Sequence, residues 1–366
     1  MEKQLIIILV ALFSVNLSFS QGLIVDHKCT DIAKIPVEWI NTAKTTLHIA
    51  YGHTSHGSQI IDGMSGLVSF TGGKGGPQFG WNNGGKNGAL DLYDRAMDGD
   101  CGYYPQWVDN TRSFLDNPEN SKTNVIIWSW CGQISNYNST DLIYKYINPM
   151  VQLEKDYPKV RFVYMTGHLN YDQYDNTTAR NKQLRDFCIA NNKALFDFVD
   201  LECYDPDGVF YKYANDNCDY FDALASSPLG NWAQNWQNSH QEGVDWYNCN
   251  SAHSQSLNAN QKAYAAWYLW ASLAGWQQTT GQKELEQIST LTIFPNPSNG
   301  KIAIELSQGN IVSIKLYNAS GIRVFSSFES GIVQKKEVDI SGLAKGVYLV
   351  KVNNGEKYFT EKIMKL

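Results

Sequence analysis

Residues 45–59 read TTLHIAYGHTSHGSQ, and this stretch decides the fold of the larger part of the chain. Its first half, Thr45 to Tyr51, is a short apolar run rich in β-branched and aromatic residues, which predicts a buried β-strand. Its second half is polar and contains two glycines, which predicts a turn where the strand ends. The stretch therefore indicates a buried strand with histidines and serines gathered at its carboxyl end.

Three further segments have the composition of buried strands, namely Val125 to Trp130, Val160 to Thr166 and Ala194 to Val199. Helical patterns lie between and after them, at Thr178 to Asn191 and at Asn258 to Ala274. Alternation of strands and helices predicts an α/β fold with a mostly parallel sheet flanked by helices.

The residues that follow the predicted strands are unusually polar. Cys131-Gly132-Gln133 follows the second strand, and Gly167-His168-Leu169-Asn170 follows the third. Asp200-Leu201-Glu202 follows the fourth, and Cys249 to Ser254 precedes the last helix. Because ligands bind at the carboxyl ends of strands in such sheets, these segments are the first candidates for a site.

This order of motifs resembles the SGNH, or GDSL-like, hydrolases over roughly residues 43 to 276. The resemblance implies a flavodoxin-like three-layer fold, Ser55 as nucleophile and His253 as the general base that takes the serine proton. It also implies an oxyanion hole near Gly132, with Gln133 or Asn170 as a side-chain donor.

The chain departs from the family pattern next to the histidine. Asn250 stands where the family has an aspartate three residues before its histidine, so we expect Asp245 or a backbone carbonyl to orient His253. The purely structural alternatives are that Ser55 is only a turn residue and that His253 is a helix cap or a buried structural histidine.

We expect three histidines near the predicted strand ends to bind substrate, namely His53, His56 and His168. They could instead bind a metal, since imidazole is a common ligand, but His-x-x-His in a loop is not diagnostic. We predict no metal and no cofactor. The acidic segment from Glu202 to Asp222 lacks the EF-hand spacing. We therefore interpret it as a solvated loop, which is commoner than a calcium site.

The larger domain holds all 11 tryptophans of the chain. Aromatic faces flanked by amides suit stacking on sugar rings, so Trp81, Trp107, Trp232 and Trp236 are the candidates for glycan contacts. Packing in the core is the alternative explanation for tryptophans in general.

The C-terminal segment, residues 291–366, has apolar runs that alternate with period two between turns such as Asn299-Gly300 and Asn354-Gly355. This pattern predicts a small all-β sandwich, after a linker at 279–290. The motifs FPNP, LYNASG and DISGLAKGVYLVKV resemble the type A sorting domains of type IX secretion in Bacteroidetes. That resemblance implies the secretion machinery as a partner and no catalytic role.

The N-terminus has a charged start and an apolar run from Leu5 to Phe13, followed by small residues. This pattern predicts a secretory signal peptide over residues 1–20, removed before Gln21, and no membrane span. We therefore expect a secreted or cell-surface protein.

The seven cysteines all lie in the larger domain and in a protein bound for an oxidising compartment, so we expect disulfide bonds with at least one free thiol. Cys203 and Cys218 are a plausible pair.

The segment from residue 289 carries ten lysines and arginines against six acids, whereas the larger domain has a net charge of −10. An acidic domain argues against nucleic acid as its partner.

These observations lead to the hypothesis of a secreted carbohydrate esterase that removes acetyl groups from an extracellular polysaccharide. Two alternatives remain open at this point. One is a polysaccharide lyase or glycosidase that uses residues of the same crevice as base and acid. The other is a non-catalytic glycan-binding surface protein, which the missing aspartate before His253 favours.

Overall fold

The computed structural model describes residues 22–70, 75–224, 226–277, 291–307, 311–318, 321–328, 333–354 and 358–366. The chain divides into two compact units, Met1–Gln278 and Thr279–Leu366. The predicted signal peptide at 1–20 and the predicted linker at 279–290 lie outside the described residues. No helix in the described part of the chain is long and apolar enough to cross a membrane.

The first unit is built on a seven-stranded sheet, which confirms the predicted α/β fold with a parallel sheet. Its strands are β1 (Ile24–Val25), β2 (His48–Gly52), β3 (Trp81–Asn82), β4 (Leu90–Asp94), β5 (Val125–Trp128), β6 (Arg161–Met165) and β7 (Ala194–Phe196). They lie in the order β1-β7-β6-β5-β2-β4-β3, and every neighbouring pair is parallel. The chain leaves β2 toward β4 on one side and returns to β5 on the other, so a topological switch point lies between β2 and β5.

Helices cover both faces of this sheet. They are α1 (Val37–Thr46), α2 (Ser58–Ser69), α3 (Gln106–Asp116), α4 (Ser139–Leu142), α5 (Asn148–Asp156), α6 (Tyr174–Ala190), α7 (Trp232–Ser239) and α8 (Ser256–Leu273). Alternate residues of a strand point to opposite faces. Accordingly Ile49 and Tyr51 join one core, with α1, α2 and α8, while Ala50 joins the other, with α3, α5 and α6. Burial on both faces explains why the strands read as continuous apolar runs.

Helix α8 is buried on nearly all sides and packs closely on α2. A Cβ atom added at Gly63 of α2 would lie 2.1 Å from the carbonyl oxygen of Ala259, so the glycine permits this approach. Two buried asparagines of α8 have partners: Asn258 donates to the Leu201 carbonyl at 2.7 Å, and Asn260 accepts from the Tyr247 amide at 3.0 Å. The helix therefore joins α2 to the loops that follow the sheet.

A small antiparallel sheet lies between β7 and α8 in the sequence. Its strands are β8 (Tyr213–Ala214), β9 (Asp219–Phe221) and β10 (Gly230–Asn231), in the order β10-β9-β8. The turn between β8 and β9 holds Asp216, whose carboxylate contacts His56. The Asp205 carboxylate accepts the backbone N–H groups of Asp207 and Val209, and the Asp219 carboxylate accepts the side-chain amides of Asn215, Asn217 and Asn231, consistent with an acidic loop that caps its own turns.

The second unit is all-β, as predicted, and consists of two antiparallel sheets around one core. Its strands are β11 (Leu291–Phe294), β12 (Lys301–Leu306), β13 (Ser313–Tyr317), β14 (Arg323–Phe328), β15 (Lys335–Asp339), β16 (Gly346–Asn353) and β17 (Tyr358–Lys365). The sheets run β11-β12-β15 and β14-β13-β16-β17. The period-two pattern is visible in β16, where Val350 and Val352 are buried and Val347 and Leu349 are exposed.

The expected disulfide bonds are absent. All seven cysteines lie among the described residues and are free thiols, including Cys203 and Cys218. Cys218 instead contacts the Ser254 hydroxyl at 3.4 Å, and Cys188 is fully buried in the core between the sheet and α6. An oxidising compartment permits disulfides, but each thiol still needs a second one at bonding distance, which sequence alone does not reveal.

Candidate functional site

Polar residues from four segments meet at the carboxyl ends of the central strands. The turn between β2 and α2 contributes Ser55 and His56, and a 3-10 helix of residues Gly132–Asn136 follows β5. The segment after β6 contributes His168, and the loop before α8 contributes His253. We call this region the crevice; it lies beside the switch point between β2 and β5, where ligands bind in doubly wound sheets.

Three imidazoles stack in the crevice. The ring centroids of His56 and His168 are 3.7 Å apart with an angle of 1° between planes, and those of His56 and His253 are 4.5 Å apart with 13°. His56 and His168 are buried, whereas His253 is exposed. Residues nearly 200 positions apart are thus brought into contact, with His253 on the solvent side.

His56 also contacts an acid and a thiol. Its Nε2 lies 3.1 Å from Oδ2 of Asp216, and its Nδ1 lies 3.6 Å from Sγ of Cys131. Burial lowers the pKa of His56 to about 4, and the hydrogen bond to Asp216 offsets only part of this effect. Burial acts to raise the pKa of Asp216, but the hydrogen bond with His56 and the nearby imidazoles lower it overall. At neutral pH the pair is therefore a neutral imidazole beside a carboxylate.

His168 is held in one tautomer. Its Nδ1 donates to the Leu169 carbonyl at 2.6 Å, so in the neutral ring Nε2 carries the lone pair, and that atom is buried without a hydrogen-bond partner in the described structure. The Leu169 amide in turn donates to Oε2 of Glu202 at 2.6 Å, and Oε1 of Glu202 lies 2.7 Å from Nζ of Lys262. A fully buried ion pair thus fixes the backbone beside His168.

Ser55 is half-buried and adjoins His56. Its carbonyl accepts the Ser58 hydroxyl at 2.7 Å, and within the described ranges its own hydroxyl makes no hydrogen bond, to His253 or to another residue. His253 has a left-handed backbone, with φ of 61°. Such a conformation in a non-glycine residue costs about 1–2 kcal/mol and is a feature of functional loops.

No carboxylate contacts the His253 ring in the part of the chain that the structure describes. Asp245 is exposed, and its carboxylate accepts the Gln241 amide at 2.9 Å within its own loop. Asn250 donates to Asp62 of α2 at 3.2 Å. The structure therefore brings His253 to the same crevice as Ser55, while Asp245 and Asn250 are engaged away from its ring.

The three residues expected to form an oxyanion hole lie close together but differ in availability. Gly132 faces Nε2 of His168, which would be 3.9 Å from a Cβ atom added there. Asn170 is half-buried and donates to the Ser135 hydroxyl at 3.2 Å, which donates to the Gly132 carbonyl. Gln133 points elsewhere, since its amide donates to Asp100 at 3.3 Å.

His53 lies at the same strand end but is engaged in the interior. Its Nε2 pairs with Asp94 at 2.6 Å, its Nδ1 lies 2.8 Å from the Thr54 carbonyl, and its side chain is 1% exposed. Both ring nitrogens therefore have partners, and His53 supports the turn after β2 rather than facing a ligand.

The structure corrects two of the four predicted glycan contacts. Trp107 and Trp232 are 1% and 0% exposed, so they pack in the core and offer no face to a sugar. Trp81 is half-buried in edge strand β3, opposite Leu90 at the amino end of β4, away from the crevice. Trp236 is half-buried on α7, where one face stacks on His240 at 3.6 Å.

Sequence reasoning placed Cys131 and Glu202 in candidate segments but gave them no role, and it did not single out Asp216 or Lys262. Asp216 is 160 residues from His56, and nothing in its acidic segment distinguishes it from its neighbours. Lys262 could have been found as the single charged residue of α8, because a lysine buried in a helix needs a buried partner.

Comparisons with known proteins identify the C-terminal segment. Residues 292–366 match the family described as a secretion system C-terminal sorting domain. Such domains mark proteins for type IX secretion, so this protein is exported by that route to the cell surface or the extracellular space. The sorting domain also implies interaction with the secretion machinery.

Three similar solved structures share little sequence with this chain. No curated protein matches the sequence. Among solved structures, an engineered protein is 7% identical with a TM-score of 0.22, and the match covers 85% of this chain and 60% of that one. An endo-β-1,4-mannanase from Thermotoga petrophila is 10% identical (TM-score 0.17; 69% and 49% covered), and a Cellulomonas fimi endo-β-1,4-mannanase double mutant is 11% identical (TM-score 0.24; 94% and 100% covered). These scores are too low to relate folds or activities.

Proposed function

We propose that the first unit is an SGNH-like carbohydrate esterase that removes acetyl groups from an extracellular polysaccharide. The observation that carries the proposal is the position of His253: its left-handed loop holds the imidazole against His56, the residue that follows Ser55 in the turn after β2. The strand order β4-β2-β5-β6-β7 supports the proposal too, because it equals the flavodoxin-like order 2-1-3-4-5 with the serine after the first of these strands.

In the proposed reaction, the Ser55 hydroxyl oxygen attacks the acyl carbonyl carbon while His253 accepts the serine proton. The resulting oxyanion is stabilised by the backbone near Gly132 and by the Asn170 amide, which exchanges its bond to Ser135 for one to the substrate. The C–O bond to the sugar then breaks, and His253 protonates the departing sugar hydroxyl. Water then attacks the acyl carbon while His253 accepts its proton, the bond from the acyl carbon to the Ser55 oxygen breaks, and His253 returns the proton to Ser55 as acetate leaves.

The His253 ring must turn from His56 toward Ser55 for the first step. Catalytic hydrogen bonds are often long or unformed before substrate binds. Exposure of His253 leaves room for this rotation. The location outside the cell supports a polymer as substrate.

A second candidate nucleophile is the Cys131 thiol, favoured by one observation. Cys131 Sγ, the His56 ring and Asp216 form a continuous chain of contacts of 3.6 and 3.1 Å, the order of a nucleophile, a base and an orienting acid. A thiol nucleophile would form a thioester in place of the serine ester, with the same net hydrolysis.

The test uses the mature chain from Gln21, assayed for acetate release from acetylated polysaccharides and from an aryl acetate. We expect Ser55→Ala and His253→Ala to lose at least about 1,000-fold in kcat/KM, as loss of a nucleophile or base does elsewhere. Ser65→Ala, at an exposed serine of α2, is the matched control and should retain full activity. A serine-directed phosphonate should label Ser55.

Other outcomes would reject the serine nucleophile or the esterase activity. Full activity in Ser55→Ala with loss in Cys131→Ala would reject the serine in favour of the thiol. Shortened chains or unsaturated ends without acetate would indicate a glycosidase or lyase, and glycan binding without turnover would indicate a binding protein; either rejects the esterase.

A further inference from the structure

We propose that His56, His168 and Asp216 form a binding site for a divalent transition metal cation of the zinc type. The inference does not depend on ester hydrolysis, since it concerns which atoms converge in the buried part of the crevice. One ligand atom from each of the three residues lies within 4.8 Å of the other two.

The distances are close to those that a bound cation would impose. Tetrahedral zinc binds nitrogen and oxygen ligands at about 2.0–2.2 Å, which places the ligand atoms about 3.3 Å from one another. Nε2 of His56 and Oδ2 of Asp216 are 3.1 Å apart. Little movement of this pair is needed to replace the shared proton by a cation.

His168 provides the independent sign of a ligand. Its Nε2 is buried and has no protein partner among the described residues, so in the neutral ring its lone pair is available to a ligand. Its other ring nitrogen donates to a backbone carbonyl, the arrangement that orients metal-binding histidines and fixes their tautomer. The Glu202–Lys262 pair supports that carbonyl segment from behind.

The ligand types select the cation. Two imidazoles and one carboxylate suit zinc and its neighbours, whereas calcium and magnesium prefer sites made wholly of oxygen ligands. Three protein ligands leave a further position, as in zinc sites that bind water or substrate. Cys131 Sγ, 3.6 Å from Nδ1 of His56, lies on the other side of that ring and orients it.

Binding requires one rearrangement. A cation lies in the plane of each imidazole that binds it, and the planes of His56 and His168 are parallel with centroids 3.7 Å apart. At least one ring must therefore turn, which separates the stacked pair and moves the His56 ring relative to His253.

A second group of three possible ligands serves as the internal control. Asp26, His27 and Asp200 also converge, but all three are half-buried and they offer a single imidazole, whose Nδ1 is paired with Asp200 at 2.5 Å. His48 offers another comparison, because it pairs with Asp91 at the amino end of β2, the opposite end of the strand from the crevice.

The test is calorimetric titration of ZnCl₂ into the mature chain, prepared without a histidine tag and stripped with a chelator. We expect one zinc per chain, with affinity reduced at least about 100-fold in His168→Ala and in Asp216→Asn, since even outer-shell changes lose 10- to 100-fold. His27→Ala and His48→Ala should bind as the unaltered chain does. X-ray absorption at the zinc edge should show two imidazole ligands, a reading that needs no variant to fold.

Stoichiometric binding lost in His27→Ala and kept in His168→Ala would overturn the assignment. So would the absence of zinc binding in the unaltered chain, or a zinc spectrum with a single imidazole. None of these readings involves ester hydrolysis, so each is independent of whether the esterase proposal holds.

Discussion

Removal of Lys262 should destabilise the first unit more than any surface substitution, because it leaves the Glu202 carboxylate alone in the interior. Both side chains are fully buried, and Nζ of Lys262 also contacts Gln59 and lies 3.6 Å from the centroid of the Phe198 ring. Burial raises the pKa of Glu202 and lowers that of Lys262, so each ionised group depends on the other. Breaking such a pair from one side costs about 3–5 kcal/mol.

The loss in the free energy of unfolding is limited, because the Glu202 carboxylate can take up a proton in Lys262→Met. Protonating a carboxyl of ordinary pKa near 4.3 at pH 7 costs about 3.7 kcal/mol, at 1.36 kcal/mol per pH unit. The folded variant takes up this proton at a higher pH than the unfolded chain does, so lowering the pH stabilises the folded form relative to the unfolded one. We therefore expect Lys262→Met to lower the free energy of unfolding by about 3–4 kcal/mol at pH 7 and by about 1 kcal/mol at pH 5.

The assay is urea unfolding of the mature chain followed by tryptophan fluorescence, since all 11 tryptophans precede the sorting domain. In Lys262→Met/Glu202→Gln both charges are gone and the glutamine oxygen can still accept the Leu169 amide. This double variant should be more stable than Lys262→Met alone, with a coupling of at least about 2 kcal/mol.

The matched control is Lys182→Met/Asp186→Asn on α6, an exposed pair four residues apart, whose coupling should not exceed about 0.5 kcal/mol. Additive single effects at Lys262 and Glu202, or a loss in Lys262→Met that does not change between pH 7 and pH 5, would refute the reasoning.

Three other features give direct tests. Gly63→Ala should lower the free energy of unfolding by about 1–3 kcal/mol, because the methyl group would overlap the Ala259 carbonyl; an unchanged urea midpoint would contradict the close packing of α2 on α8. Thiol titration with a disulfide reagent in denaturant should count seven free thiols, and in the folded protein half-exposed Cys131 should react before buried Cys188; a count of five or fewer would mean that disulfides form. Deletion of 292–366 should retain the protein in the periplasm of a type IX-competent host, as measured by cell fractionation, and export of the truncated chain would contradict the sorting role.

Much of the architecture could be predicted from local patterns. The runs that became β2, β5, β6 and β7 are apolar on both faces because helices cover both sides of the sheet, and that continuity is readable without coordinates. Short edge strands such as β1 and β3 escaped prediction, since two residues leave no periodicity. The sorting domain was recognisable throughout because its period-two pattern and motifs are local.

The candidate site, like the fold, could be predicted from the sequence only in part. Sequence order alone indicated that Ser55, His168 and His253 follow strands or precede the last helix, because the carboxyl ends of parallel strands share one edge. Which imidazoles touch, which nitrogen stays without a partner, and that Asp216 completes the group were decided by tertiary structure. The physical reason is that strand positions follow from periodicity along the chain, whereas contacts between distant loops depend on how α8 and the β8–β9 turn pack against the sheet.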